Sequence, residues 1–212
     1  WVVLIGIDAY PGYPLRGCVS DAQLMQKYFT EDLHVPPNRI QLLLGSHEQI
    51  SPEDPLYPSR THITEMLLSL ATNNEIQDGD NIIVFYSGHG SCYINEKAGL
   101  VEHGYIEAFC PIYRSSGAKS DPVPDISDRE LNSILTQISR AKGHRITVIL
   151  DCCHAGGVSR ELPEPGARFI PVTTATTVED MLLAGEKHLR YYPGYRSIVS
   201  EDWSRIWTPT LR

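Results

Sequence analysis

Two short clusters in this sequence set reactive side chains among glycines: Ser87-Gly88-His89-Gly90 and Asp151-Cys152-Cys153-His154-Ala155-Gly156-Gly157. Each follows an apolar run, 82–86 in the first case and 146–150 in the second. A thiol with an ordinary pKa of about 8.5 is mostly protonated at neutral pH, and a neighbouring imidazole that takes its proton makes the nucleophilic thiolate accessible. A His and a Cys at the carboxyl ends of two parallel strands meet where open α/β sheets carry their catalytic groups. Gly88 and Gly90 leave room for a substrate backbone beside His89, and Gly156 and Gly157 permit a sharp turn after the thiols.

Structural readings compete with this one. A His at a strand end is often a buried, satisfied side chain, and free Cys is usually a small inert core residue. Metal binding is not expected, because adjacent Cys152, Cys153 and His154 cannot easily wrap one tetrahedral ion and no Cys-x-x-Cys occurs elsewhere.

The elements that must position these groups follow from periodicity. Continuous apolar runs at 2–7, 40–44, 82–86 and 146–150, with a weaker one at 105–110, predict strands buried on both faces of a parallel sheet. Helix-period segments lie between them at 21–29, 63–72 and 128–140, opened by Ser20, Thr61 and Ser127. Ser20 with Gln23 and Ser127 with Glu130 fit capping boxes. Strands alternating with helices predict a doubly wound α/β sheet with helices on both faces. Segments rich in Pro, Gly, Ser and Asp at 46–59, 115–125 and 161–166 read as loops, and a further helix is expected at 178–188.

With 212 residues, 42% hydrophobic and 21% charged, the chain has enough apolar material for one ordinary folded domain. A formal charge of −8 argues against nucleic acid as a partner, since phosphate binding needs clustered Lys and Arg. Five cysteines, two of them adjacent at Cys152 and Cys153 and the others scattered at Cys18, Cys92 and Cys110, form no disulfide framework, so a reducing, cytoplasmic home is expected. No apolar stretch approaches the ~20 residues that span a bilayer, and no leader is recognisable. Trp1 already lies inside an apolar run and the chain stops without a closing element, so 1–212 reads as a single catalytic domain trimmed at both ends.

The segments Leu15-Arg16-Gly17-Cys18-Val19-Ser20-Asp21-Ala22, Tyr86-Ser87-Gly88-His89-Gly90 and Asp151-Cys152-Cys153-His154-Ala155-Gly156 together resemble a metacaspase, in the wider caspase-like clan. The resemblance covers 2 to about 158 and implies a three-layer, caspase-haemoglobinase-like fold, its large-subunit-like part present here. It implies a cysteine-type endopeptidase with Cys153 as nucleophile, Cys152 standing where the family usually has Ser, and His89 as base. The backbone amides of Gly90 and Cys153 are the implied oxyanion donors. Asp21 and Asp151 are implied to form an acidic pocket that takes Arg or Lys before the cut, so the expected partners are peptides and proteins with a basic residue there. Each acid also has a structural reading: Asp21 complements the dipole of a helix start, and Asp151 accepts backbone hydrogen bonds at a strand end.

The sequence departs from the family at two stretches that resemble its calcium-binding segments. These read Cys110-Pro111-Ile112-Tyr113 and Ile126-Ser127-Asp128-Arg129-Glu130, with Tyr113 and Arg129 in place of expected carboxylates. Lost negative charge and a resident cation disfavour a hard oxygen-ligand site, so no cofactor and weak or no calcium activation are expected. Two functions remain open: a peptidase that cleaves after Arg or Lys, and a catalytically silent binding or signalling module on the same fold. An Asp-specific enzyme is disfavoured, since caspases set their nucleophile in Gln-Ala-Cys and this chain has a carboxylate two residues before the thiol.

Overall fold

The computed structural model describes residues 1–48, 51–94, 105–114, 123–153, 170 and 176–199. In chain order its main elements are β1 (Val2–Ile7), α1 (Cys18–Lys27), β2 (Ile40–Gly45), α2 (Arg60–Thr72), β3 (Ile82–Ser87), β4 (Gly90–Ile94), β5 (Tyr105–Phe109), β6 (Ile126–Ser127), α3 (Asp128–Lys142), β7 (Ile146–Asp151) and α4 (Val178–Leu189). The four continuous apolar runs form one all-parallel sheet in the order β2-β1-β3-β7. The weaker run becomes β5, the middle strand of a second, antiparallel sheet ordered β4-β5-β6.

Between β2 and β3, β1 is buried along its whole length, as a continuous apolar run requires. Val2 and Leu4 face Ala22 of α1 together with Phe29 and Phe85, while Val3, Ile5 and Ile7 join Ile63 and Leu67 of α2 and Ile134 and Ile138 of α3. Helices therefore cover both faces, giving the expected three layers. Gly6 sets the approach of α1: a Cβ there would lie 2.5 Å from the Cys18 carbonyl oxygen.

The strand that leads into the thiols departs from its expectation in burial alone. Ile149 and Leu150 of β7 are 37% and 36% exposed, and among the described residues β7 pairs with β3 alone. An apolar run marks a strand, but its composition does not separate a central strand from one at the sheet's margin.

Helix starts also differ from the capping patterns in the sequence. α1 begins at Cys18 after Gly17, which has no side chain to cap with, and Ser20 Oγ donates to the Gly17 carbonyl at 2.8 Å instead of forming a box with Gln23. α2 opens one residue before Thr61, with Ser59 Oγ accepting the His62 N–H at 3.1 Å. Ser127 caps α3 as expected, accepting the Glu130 N–H at 3.1 Å, but the Glu130 carboxylate turns inward to Arg60 rather than back to the cap. At α4 the reciprocal box is formed by Thr177 and Asp180.

The antiparallel sheet is pinned by a buried ion pair. Arg114 donates from Nε and Nη2 to the two Asp125 carboxylate oxygens at 3.0 and 2.6 Å, and Tyr93 Oη donates to Asp125 Oδ2 at 2.6 Å. Both oxygens are satisfied, which is the condition for burying such a charge without a large penalty. The turn His154–Gly157, the loop 161–166 and the expected loop 115–125 before position 123 lie outside the described residues.

Candidate active site

Parallel register builds the site. Ser87 of β3 pairs with Asp151 of β7, so His89 and Cys153 each stand two residues past paired positions on adjacent strands, which run about 4.8 Å apart. The Gly88 N–H donates to the Asp151 carbonyl at 3.4 Å, carrying the contact beyond the strands. A Cβ at Gly90 would overlap the Cys153 carbonyl oxygen, so the backbone of the thiol residue lies against the neighbour of the imidazole.

His89 is 3% exposed and its Nε2 lies 2.8 Å from the carbonyl oxygen of Tyr13. A carbonyl only accepts, so Nε2 carries the proton and the neutral ring keeps its lone pair on Nδ1. The Tyr10 ring packs on the imidazole at a centroid distance of 4.6 Å and 55°. The two adjacent thiols differ in setting: both are half-buried, but Cys152 packs against the main core cluster. Burial pushes the Cys110 and Cys92 thiols up from their ordinary range, which makes them poor nucleophiles.

The two candidate pocket acids are not a buried pair. Asp151, the last residue of the marginal strand β7, is exposed, and its Oδ2 accepts from Ser87 Oγ at 3.3 Å. Asp21 is half-buried in the first turn of α1. Both stand at the carboxyl edge of the parallel sheet, where a side chain arriving from solvent can reach them.

One supporting residue had gone unnoticed in the sequence. Asp8 is 8% exposed, and its carboxylate accepts the N–H groups of Cys18 at 2.9 Å and Val19 at 3.3 Å. It supplies the cap that Gly17 lacks and complements the positive end of the helix that carries Asp21. Its position directly after β1, at the same sheet edge as the His and Cys clusters, was the available signal.

At the stretches with calcium-site resemblance, Tyr113 is 44% exposed with its ring 5.7 Å from that of Tyr57. Arg129 Nη1 donates to the Ile198 carbonyl at 3.0 Å, and Asp128 Oδ1 accepts the Arg129 N–H at 2.7 Å. Among the described residues no group of three or more His, Cys, Asp or Glu is arranged to hold a metal ion, and a guanidinium at position 129 does not fit a calcium site. No described helix is long and apolar enough to cross a membrane.

Comparison with known proteins gives a consistent answer. The profile described as "Metacaspase, peptidase C14 domain" matches residues 2–162. The chain is 30% identical over 158 residues to Metacaspase-3 of Arabidopsis thaliana, covering 74% of this chain and 40% of that protein. It is 30% identical over 199 residues to Metacaspase-4 of the same plant, covering 93% and 42%. The Neurospora crassa protein Metacaspase-1B matches at 30% over 156 residues, covering 73% and 33%. The chain thus spans less than half the length of these curated relatives. Among solved structures, protein GSU0716 from Geobacter sulfurreducens superposes with a TM-score of 0.51 at 21% identity, covering 73% of this chain and 50% of that one, a likeness of fold.

Proposed function

Because this chain belongs to the metacaspase peptidase C14 family, we propose that it forms the catalytic part of a cysteine endopeptidase that cuts after Arg or Lys. The observation that carries this reading is the register of β3 and β7, which sets His89 and Cys153 at equal offsets past Ser87 and Asp151.

In the proposed mechanism Nδ1 of His89 takes the Cys153 Sγ proton, and the thiolate attacks the scissile carbonyl carbon. The oxyanion so formed is met by the backbone N–H groups of Gly90 and Cys153, donors of a kind worth several kcal/mol of barrier. The imidazolium returns its proton to the departing amine as the C–N bond breaks, leaving a thioester. His89 then deprotonates a water that attacks the thioester, and the acid and free thiol are released. The Tyr13 carbonyl holds Nε2–H throughout and steadies the imidazolium.

Asp21 and Asp151 would receive the cationic side chain, Asp151 oriented by its hydrogen bond from Ser87. An exposed carboxylate attracts such a side chain over distance and adds charge-assisted hydrogen bonds on contact. Calcium has no step in this scheme.

The test is the hydrolysis of paired fluorogenic peptides, differing only in Arg or Asp before the scissile bond, by the full-length protein and its Cys153→Ala variant. Arg-selective turnover that disappears in the variant is the expected result. Absence of turnover on both peptides would favour the binding-module reading instead.

A further inference from the structure

His89 lies at the junction of the two sheets, after β3 ends at Ser87 and before β4 begins at Gly90. Two phenols beneath it meet its backbone groups, alongside the Cys110 N–H, which donates to the His89 carbonyl at 3.0 Å. The His89 N–H donates to Tyr10 Oη at 3.1 Å, and Tyr86 Oη donates to the His89 carbonyl at 2.7 Å. Across the junction, Tyr10 Oη donates to the Cys110 carbonyl at 2.9 Å, and the Cys110 N–H donates to Tyr86 Oη at 3.2 Å.

The two phenol oxygens are 3.0 Å apart, and each gives one proton and accepts one amide. Burial raises both phenols well above the ordinary tyrosine range, so both keep the protons this arrangement needs. Gly88 makes the space: a Cβ there would lie 2.5 Å from Tyr10 Oη and 2.7 Å from Tyr86 Oη.

Tyr10 also touches the ring that its hydroxyl helps to hold, and the turn it opens, in which the Tyr13 N–H donates to the Tyr10 carbonyl at 3.3 Å, delivers the Tyr13 carbonyl to Nε2. One four-residue segment thus fixes the backbone, the ring face and a ring nitrogen of His89. We infer that Tyr10 and Tyr86 are positioning residues for His89, a paired unit that keeps the imidazole in the rotamer and tautomer that offer Nδ1 to Cys153. The inference rests on the His89–Cys153 dyad proposed above. Neither phenol touches substrate.

Loss of the Tyr10 hydroxyl strands the buried His89 N–H, and loss of the Tyr86 hydroxyl removes one of the two donors to the His89 carbonyl, so each loosens the loop that carries the imidazole. The experiment compares the full-length protein with Tyr10→Phe, Tyr86→Phe and the double variant, all measured below their unfolding temperatures. Three quantities are read: kcat and KM on the Arg peptide, Cys153 alkylation by iodoacetamide as a function of pH, and Tm.

The expected result is a kcat lower by about 10- to 100-fold, the scale of a displaced catalytic group, with KM within about twofold. Alkylation loses its His89-dependent component in the same variants, and the double variant falls short of the product of the singles because the phenols act together. If one variant fails to fold, the other carries the test. Kinetics and alkylation within about twofold of the parent while Tm falls would overturn the inference, leaving the phenols a purely structural role. Parent alkylation that is unchanged by His89→Ala would overturn the dyad, and the inference with it.

Discussion

The carbonyl oxygen of Cys153 occupies the space that a side chain at position 90 would need. The glycine after His89 is therefore a point at which the chain just past β7 lies against the antiparallel sheet. Gly90→Ala must push the thiol's backbone away from the imidazole or deform β4, at a stability cost of about 1–3 kcal/mol. Turnover is expected to fall by about 100-fold at temperatures where the variant is folded. An active Gly90→Ala enzyme would show that the two backbones part without consequence.

Asp8 is expected to hold α1 by its first two amides. Asp8→Ala should destabilise the protein by about 1–2 kcal/mol in denaturant unfolding, with Asp8→Asn losing less because it keeps one acceptor. Since Asp21 rides on this first turn, KM for the Arg peptide should rise in Asp8→Ala more than kcat falls. An unchanged unfolding midpoint would remove Asp8 as the cap.

Glu130 should make stability depend on pH. Burial raises its carboxyl from 4.5 to about 6, against the opposing pull of Arg60. A raised pKa means that the folded state binds the proton more tightly, so this contribution is fully present below about pH 4.5 and is lost as pH rises through about 6. Relative to Glu130→Gln, the parent should lose about 2 kcal/mol across that window. Chemical denaturation of both proteins at several pH values checks this, and parallel stability curves would contradict it.

Calcium is expected to do little. With Arg129 directed at the Ile198 carbonyl and Tyr113 in place of an acid, isothermal titration of the full-length protein should give no tight, saturable binding at this region. Titration heats that vanish in an Asp128→Asn variant would reverse that expectation.

The sheet could be read from the sequence because its four strands are runs that only burial explains, and the reading reached β1 through β3 nearly to the residue. It also placed β7 to within a residue but not its exposure, because Ile146 to Leu150 has the composition of a central strand, and what lies beside a strand is not written in the strand itself. The proposed dyad was suggested by His89 and Cys153 each following such a run closely. Its supports were hidden: Tyr10 and Tyr86 look like ordinary aromatic core residues, and their hydroxyls acquire meaning only when two sheets meet around Gly88. The start of α1 was misplaced because its cap, Asp8, comes from outside the local pattern, and that of α2 because Ser59 rather than Thr61 is the local cap; Ser127 was read correctly for α3.

The position of β7 also has a consequence in time. Between β3 and β7 the chain lays down the whole antiparallel sheet and α3. As this chain leaves the ribosome, amino terminus first, the imidazole, its Tyr13 acceptor and both phenols can settle before the thiol has been made. On the proposed mechanism a nascent chain therefore carries its base before its nucleophile, and the order of synthesis withholds reactivity until β7, the last of the described parallel strands, docks.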